Sequence, residues 1–263
     1  MSKPHLHIGK LNTQQRRHTI ITLLHEQGEV TVDKLAQHFA TSDVTIRKDL
    51  TALEKSGLLL RRYGGAVPVP SEMVAERVSE PASLQKQALA KAAAARIRDH
   101  NRIIIDSGST TAALLGELGN KHGLVVMTNS LAVANALREL EPEPTLLMTG
   151  GTWDASSDSF QGQVAEQVLR SYDFDQLFIG ADSLDLERGT TTFNELTGLS
   201  RVMAEVAREV VVMVESEKIG RKIPNLELPW ESIDTLVTDS GISAQQEQAL
   251  KNKNINLVIT AKV

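Results

Sequence analysis

The chain contains no cysteine, which excludes a disulfide framework, a thiol nucleophile and any Cys-ligated zinc or iron–sulfur centre. It has no apolar run of membrane-spanning length; the longest, such as Val210-Val-Val-Met-Val214, are strand-sized. Met1 to Lys10 hold no apolar stretch of the kind a secretion signal needs, so a soluble, cytoplasmic protein is expected. His5 and His7 lie in a Pro-containing terminal tail, where paired histidines are more often disordered than metal-bound. There is no internal repeat, and no low-complexity tract beyond the alanines of residues 84–97. What the chain does have is length: 263 residues, 41% of them hydrophobic, enough for two domains with a sizeable core in the larger.

Residues 31–66 carry the strongest pattern. Thr31 can cap a helix whose apolar positions are Val32, Leu35, Ala36 and Phe39. Thr41 and Ser42 interrupt it, and Ser42 is placed to cap a second helix. Ile46, Leu50 and Leu53, at i, i+4 and i+7, form one buried stripe of that helix. Asp43, Thr45, Arg47 and Lys48 are left on the face pointing away from the core. Gly57 closes the helix as the glycine past its last turn. Leu58-Leu-Leu-Arg-Arg62 reads as a strand, Tyr63-Gly64-Gly65 as a turn and Ala66-Val67 as the return strand. A helix-turn-helix followed by a two-stranded wing fits duplex DNA, with one helix in the major groove and the wing against the backbone. The candidate DNA contacts are Ser42, Asp43, Thr45, Arg47 and Lys48 on the helix, with Arg61, Arg62, Tyr63 and Gly64 in the wing. Small polar and basic groups are what base edges and phosphates take.

Capped amphipathic helices occur in any three-helix domain, and an Arg-Arg pair is commonly a solvated face, so the charge distribution has to separate the readings. Residues 1–70 hold ten Lys and Arg against six Asp and Glu, a net of +4 in a chain of net −5, so residues 71–263 carry −9. A basic head on an acidic body suits a nucleic-acid reader. Asn12 to Val67 resembles the N-terminal domain of the DeoR family of bacterial transcriptional regulators. The likeness is carried by Glu29-Val-Thr-Val-Asp-Lys-Leu-Ala36, Thr45-Ile-Arg-Lys-Asp-Leu50, Leu53-Glu-Lys-Ser-Gly57 and Arg62-Tyr-Gly-Gly-Ala66. The family usually has Arg where this chain has Lys48, which keeps the charge and loses the forked donor.

Pro68 to Pro81 is rich in Pro, Ser and Glu and reads as a linker. The expected organisation is a disordered tail over 1–11, a winged helix-turn-helix over 12–67, a linker over 68–82 and an α/β domain over 83–263. Residues 84–97 have strong helix propensity. Apolar strand patterns follow at 102–106, 124–129, 145–151, 176–180, 210–214, 235–238 and 256–259, with helices expected to about Leu118 and Leu140 after the first two. Continuous apolar strands separated by helices predict a parallel sheet covered on both faces.

In such sheets ligands sit at the carboxyl ends of the strands. The first strand ends Asp106-Ser107-Gly108-Ser109-Thr110-Thr111 and runs into a helix. Gly108 admits close approach, the hydroxyls donate, and a helix N-terminus favours an anion. This is a phosphate cradle without the lysine of a nucleotide P-loop or the spacing of a dinucleotide fingerprint, so no cofactor is expected. Ser and Thr are equally the ordinary caps of helices. Thr128-Asn129, Gly150-Gly151, Gly180-Ala-Asp182, the polar hairpin Thr190-Thr-Thr-Phe-Asn194-Glu195 and Ser216-Glu-Lys218 follow the other strands. Each alone is an ordinary turn; five around one rim point to a ligand.

These ends resemble the effector domain of the same family, which is similar in fold to ribose-5-phosphate isomerase. On that resemblance the family's Asp-x-Gly-Thr-Thr loop falls on Asp106, Gly108, Ser109, Thr110 and Thr111, with Ser109 in place of the commoner Thr. Effector contacts are then expected from residues 106–111 and from Thr128, Asn129, Gly150, Gly151, Asp182, Asn194, Glu195 and Lys218. Thr192-Phe-Asn-Glu195, Ala207-Arg-Glu-Val210 and Lys218-Ile-Gly-Arg-Lys-Ile-Pro-Asn225 look most like the glucitol-operon branch of the family, which implies a hexitol phosphate or a related sugar phosphate. The resemblance implies a repressor of a sugar or sugar-alcohol operon, released from double-stranded operator DNA by a phosphorylated sugar. Repeated half-sites call for a homo-oligomer, a dimer or a tetramer.

The rival reading is a sugar-phosphate isomerase with an appended DNA-binding head. Its proton shuttle needs a positioned carboxylate and a cation, which Asp106, Asp182, Glu195 and Lys218 could supply. The same groups serve equally to hold sugar hydroxyls and phosphate. The glycine-rich acid loop of the isomerases is missing, so a sensor rather than an enzyme is expected.

Overall fold

The described residues of the first unit of the chain, which lies within residues 1–74, form three helices and a small sheet. The structure, a computed structural model, describes residues 13–55, 59–62, 64–68, 82–155, 157–192, 194, 196–221 and 223–261. The N-terminal tail, most of the expected linker, Gly57 as a helix stop, and Tyr63 and Glu195 as contacts all lie outside the described residues. The elements of the first unit are α1 (Thr13–Gln27), β1 (Val30–Thr31), α2 (Val32–His38), α3 (Asp43–Lys55), β2 (Leu60–Arg62) and β3 (Gly65–Val67). Thr31 Oγ1 accepts from the Lys34 amide at 3.3 Å, and Ser42 Oγ accepts from the Thr45 amide at 3.3 Å. Both expected caps therefore form, each a contribution of about 1 kcal/mol. The stripe Ile46, Leu50 and Leu53 is buried against Ile20 and Leu24 of α1 and Val32 and Leu35 of α2.

The wing is larger than the sequence suggests. β1 pairs with β3, giving a three-stranded sheet ordered β1-β3-β2. Val30-Thr31 is too short to show a strand period, and only the pairing reveals it. A Cβ on Gly65 would lie 2.1 Å from the Val30 carbonyl oxygen, so the glycine is what lets β3 close on β1.

The second unit lies within residues 75–263. It runs through α4 (Leu84–Ala94), β4 (Arg102–Ile105), α5 (Ser109–Ala112), β5 (Val125–Thr128), α6 (Leu131–Leu137), β6 (Thr145–Met148), β7 (Thr152–Asp154), β8 (Ser159–Gln161), α7 (Gln163–Leu169) and β9 (Phe174–Ile179). It continues with β10 (Ser183–Asp185), β11 (Gly189–Thr192), α8 (Gly198–Glu205), β12 (Ala207–Met213), β13 (Asn225–Pro229), β14 (Thr235–Asp239), α9 (Ala244–Lys251) and β15 (Asn256–Thr260). Every apolar run read as a strand is a strand, and all join one seven-stranded parallel sheet ordered β15-β14-β12-β9-β4-β5-β6. Neighbouring residues alternate between two cores. Ile103 and Ile105 pack with Leu89, Val133 and Leu137 of α4 and α6, while Ile104 packs with Leu169, Val202 and Leu250 of α7, α8 and α9. Both faces are therefore covered, which is why these strands read as continuous apolar runs.

Three expectations need correction. The helix after β4 is a single α-turn continued as a 3₁₀ helix over Ala113–Glu117, so its dipole is short. α6 stops at Leu137 rather than Leu140. Thr190, Thr191 and Thr192, expected in a polar hairpin, do pair in one with β10 but are buried within strand β11 of an antiparallel sheet ordered β10-β11-β13. A run of threonines favours extended backbone as strongly as it favours a loop.

Candidate functional site

On the first unit, Ser42, Asp43, Arg47 and Lys48 are exposed along α3, and Arg61, Arg62 and Gly64 are exposed in the wing. Thr45 is half-buried and its hydroxyl lies 3.0 Å from that of Ser42, so these two hydroxyls are engaged in the cap. Arg61 and Arg62, as neighbours on a strand, point to opposite faces. Arg61 Nη1 donates to Thr51 Oγ1 at 3.0 Å and its amide donates to Glu54 Oε1 at 3.2 Å. The wing is thereby stitched to α3. Asp49, 2% exposed, accepts from Arg16 Nε at 2.6 Å and Arg17 Nε at 2.9 Å. Two of the basic residues counted toward DNA are thus spent on holding α1 to α3.

On the second unit, the chain leaves β4 toward β5 but leaves β9 toward β12, so the sheet changes direction between β4 and β9. Ligands of such sheets sit in the crevice at this point. The loop after β4 lies there, its Asp106 amide donating to the Phe178 carbonyl of β9 at 3.0 Å. Gly108 has φ +131°, a backbone that other residues avoid. Asn129, 1% exposed, ties two strand ends together: its Oδ1 accepts from the Ser107 amide at 2.9 Å and its Nδ2 donates to Asp106 Oδ1 at 2.8 Å. Lys86, on α4 and 5% exposed, donates from Nζ to Ser109 Oγ at 2.9 Å. Burial pushes its pKa down; Glu215 opposes this and Lys218 adds to it, so the turn after β12 lies within electrostatic reach of Lys86.

A carboxyl group from an unexpected element completes the crevice. Glu227 of β13 accepts from Ser200 Oγ at 2.8 Å and from Thr190 Oγ1 at 3.3 Å. Burial, then the charges of Asp106 and Asp182, push it up to about 8. Burial likewise pushes Asp106 up to about 6, against the hydrogen bonds of Asn129 and Ser107 and with the charge of Asp182 adding to the rise. Asp182 accepts from Thr192 Oγ1 at 2.6 Å. Among the described residues no three such groups converge closely enough to hold a metal ion. At the ends of β4 and β5, Lys86 meets the Ser109 hydroxyl and Asn129 meets Ser107 and Asp106, while Glu227 and Asp182 lie within electrostatic reach of Asp106.

Residues 16–72 match the DeoR-like helix-turn-helix domain, and residues 82–240 match the DeoR C terminal sensor domain. The chain belongs to the DeoR family. This DeoR-family protein is 40% identical over 95% of its own length and 95% of the other's to a putative aga operon transcriptional repressor of Escherichia coli O157:H7. It is 32% identical to the lactose phosphotransferase system repressor of Lactococcus lactis subsp. lactis, over 89% of its own length and 94% of that protein's. A solved ribose 5-phosphate isomerase A from Methanocaldococcus jannaschii is 22% identical with a TM-score of 0.37, over 51% of this chain and 53% of that one. Among the described residues no helix is long and apolar enough to cross a membrane.

Of the residues expected at the sensor rim of the DeoR-family protein, Asp106, Ser107, Ser109, Asn129 and Asp182 come together, and Lys218 lies near them. Others hold the backbone instead. Thr111 is fully buried, its hydroxyl donating to the carbonyls of Asp106 and Gly108 at 2.8 and 2.9 Å. Thr110 is buried as well. Thr128 Oγ1 accepts from the Ser130 amide at 3.1 Å. Gly150 is half-buried past β6, and a Cβ on Gly151 would meet the Gln161 carbonyl at 2.6 Å, so Gly151 serves packing against β8. Asn194 closes a turn, its Oδ1 accepting from the Leu196 amide at 2.9 Å. Lys86 and Glu227 were missed. The only signal for Glu227 was its place in Leu226-Glu227-Leu228, an alternation that normally turns the acid to solvent. For Lys86 there was no local signal at all.

Proposed function

We propose that this DeoR-family protein is a cytoplasmic repressor of a carbohydrate catabolic operon, released from its operator by a phosphorylated sugar or sugar alcohol. The observation that carries the reading is the crevice between β4 and β9. A buried lysine and a hydroxyl loop there suit a phosphate, and the carboxyl groups of Asp106, Asp182 and Glu227, within electrostatic reach of one another, suit sugar hydroxyls. On the DNA side, Arg47 and Lys48 of α3 take the major groove, while Arg62 and Gly64 lie along the backbone. Arg61, held by Thr51, reaches phosphate from the flank of α3. A dimer or tetramer matches repeated half-sites.

The glucitol-branch likeness supports a hexitol phosphate, whereas the relative at 40% identity is a putative aga operon repressor. Both hexitol and hexose phosphates therefore belong in the test. Calorimetry of the purified protein with that panel should give one tight ligand, and Ser109→Leu, which removes a hydroxyl and crowds the loop, should weaken it at least tenfold. Undiminished binding in that variant places the phosphate elsewhere. The raised pKa values of Asp106 and Glu227 favour one second reading, isomerase chemistry. Incubation with the bound sugar phosphate in D₂O decides it: a sensor leaves the carbon-bound protons in place, and an isomerase exchanges them.

A further inference from the structure

The helix α3 turns its apolar stripe to the core and keeps a different face outside. Counted from Val44, that outer face takes Arg47 at i+3, Lys48 at i+4 and Thr51 at i+7. Val44, Arg47 and Lys48 are all exposed on it. Val44 differs from the others in having no polar group. It is 62% exposed, and among the described residues of the first unit it is the one large apolar side chain left so. A helix gains nothing from valine at a solvated position, because its β-branch lowers helix propensity. Single exposed apolar residues are common on protein surfaces, so what distinguishes Val44 is its place. It is the second residue of α3, one turn before Arg47 and Lys48, and the N-terminal residues of a reading helix are those that reach base edges. Its neighbour Thr45 is half-buried, with its hydroxyl 3.0 Å from that of the Ser42 cap, so Val44 is the outermost group of this turn that the cap does not occupy.

The valine side chain neither donates nor accepts a hydrogen bond. Among the features that base pairs show in the major groove, the C5-methyl of thymine is the apolar one. Valine's single side-chain dihedral is largely fixed in a helix, so its methyls are in place before DNA arrives and little freedom is lost on contact. We propose that Val44 reads the methyl group of an operator thymine, packing against it while Arg47 and Lys48 take the polar groups alongside. This rests on α3 entering the major groove, as proposed above, and adds a base to what that helix selects. Its two cations alone favour guanine and phosphate.

The experiment uses an operator that the protein selects from random duplex DNA, with each thymine replaced in turn by deoxyuridine, which pairs identically and lacks only the methyl. In wild type, replacement at one position should weaken binding about fourfold, the effect of one methyl-sized group returned to water. Val44→Ala removes both γ-methyls and should no longer distinguish thymine from deoxyuridine at that position. Arg47→Ala serves as the control for the groove reading. If Arg47→Ala weakens operator binding while no deoxyuridine costs the wild type any affinity, the Val44 contact is overturned and the helix keeps its place in the groove. A thymine preference that persists undiminished in Val44→Ala also overturns it, because the methyl then belongs to another residue. Wild-type affinity in Arg47→Ala together with no thymine preference removes α3 from the groove, and both readings fall. The deoxyuridine scan of the unmodified protein depends on no variant's folding, so it decides by itself whether a thymine methyl is read.

Discussion

Replacing Glu227 by glutamine should remove a pH dependence of stability that the crevice imposes. Burial, with the charges of Asp106 and Asp182, lifts the Glu227 carboxyl from an ordinary 4.5 to about 8. A group whose folded pKa lies above its unfolded value keeps a proton in the folded state that the unfolded chain has lost. Stability from this source is therefore full below pH 4.5, declines as pH rises, and levels off above about pH 8. The gap between 4.5 and 8 corresponds to about 5 kcal/mol, which for a unit of this size is on the order of 10 °C in unfolding midpoint. Asp106 adds a smaller decline of the same sign between 3.8 and about 6. Acids held low act in a different window. Burial pushes Glu209 and Asp239 up, but hydrogen bonds from Gln176, Arg96 and Thr235 to the first, and from Ser216 and Gly241 to the second, outweigh it. Their stabilisation is present above the ordinary carboxylate range and lost as pH falls below it through their lowered values. Glutamine keeps an acceptor for Ser200 and never ionises. Thermal melts of the full chain without effector, at intervals from pH 5 to 9, should show wild type declining up to about pH 8 and Glu227→Gln keeping only the smaller Asp106 decline below about pH 6, the two agreeing at the acid end. Parallel curves for the two proteins would refute the reasoning.

Arg47→Ala should cost about 1–3 kcal/mol of operator affinity at fixed salt and blunt sequence preference; a gel shift with wild-type affinity contradicts it. Arg62→Ala should weaken specific and random DNA alike and lower the slope of log affinity against log salt by about one, so an unchanged slope removes Arg62 from the phosphates. Asp49→Asn leaves Arg16 and Arg17 without their shared carboxylate and should destabilise the first unit by about 2 kcal/mol, between the values for exposed and buried pairs. Urea unfolding followed by a probe in that unit checks this, and an unmoved midpoint would count against it.

The strands of the large sheet were legible because each is buried on both faces and so carries a continuous apolar run, as at Ile103-Ile-Ile105. Their order was not legible, since pairing β4 with β9 depends on partners 70 or more positions away, about which a local period says nothing. Thr31 and Ser42 were readable as caps because a cap is a local bond. Asp49 was not readable as an anchor: between Lys48 and Leu50 it has the pattern of a solvated helix face, and its partners lie on another helix. The hydroxyl loop at residues 106–111 was visible from its glycine and its place after a strand. Lys86 and Glu227 reach that loop's surroundings from α4 and β13, and only the tertiary fold brings them there.

The short strand β1 has a consequence for how this head could be re-engineered. Thr31 is at once the last residue of β1 in the wing sheet and the cap of α2, and the Val32 amide donates to the Gly64 carbonyl at 2.8 Å. Arg61 fastens the other edge of the same sheet to α3. Wing and helices thus share residues as well as contacts. A wing taken from a homologue and grafted alone, over residues 59–67, would arrive without the strand that seats it. Residues 29–67 carry the wing, the strand that seats it and α3 in one piece, and recognition of new DNA is best sought by exchanging that piece into a host whose α1 keeps the partners of Asp49 and of the Ile46–Leu53 stripe.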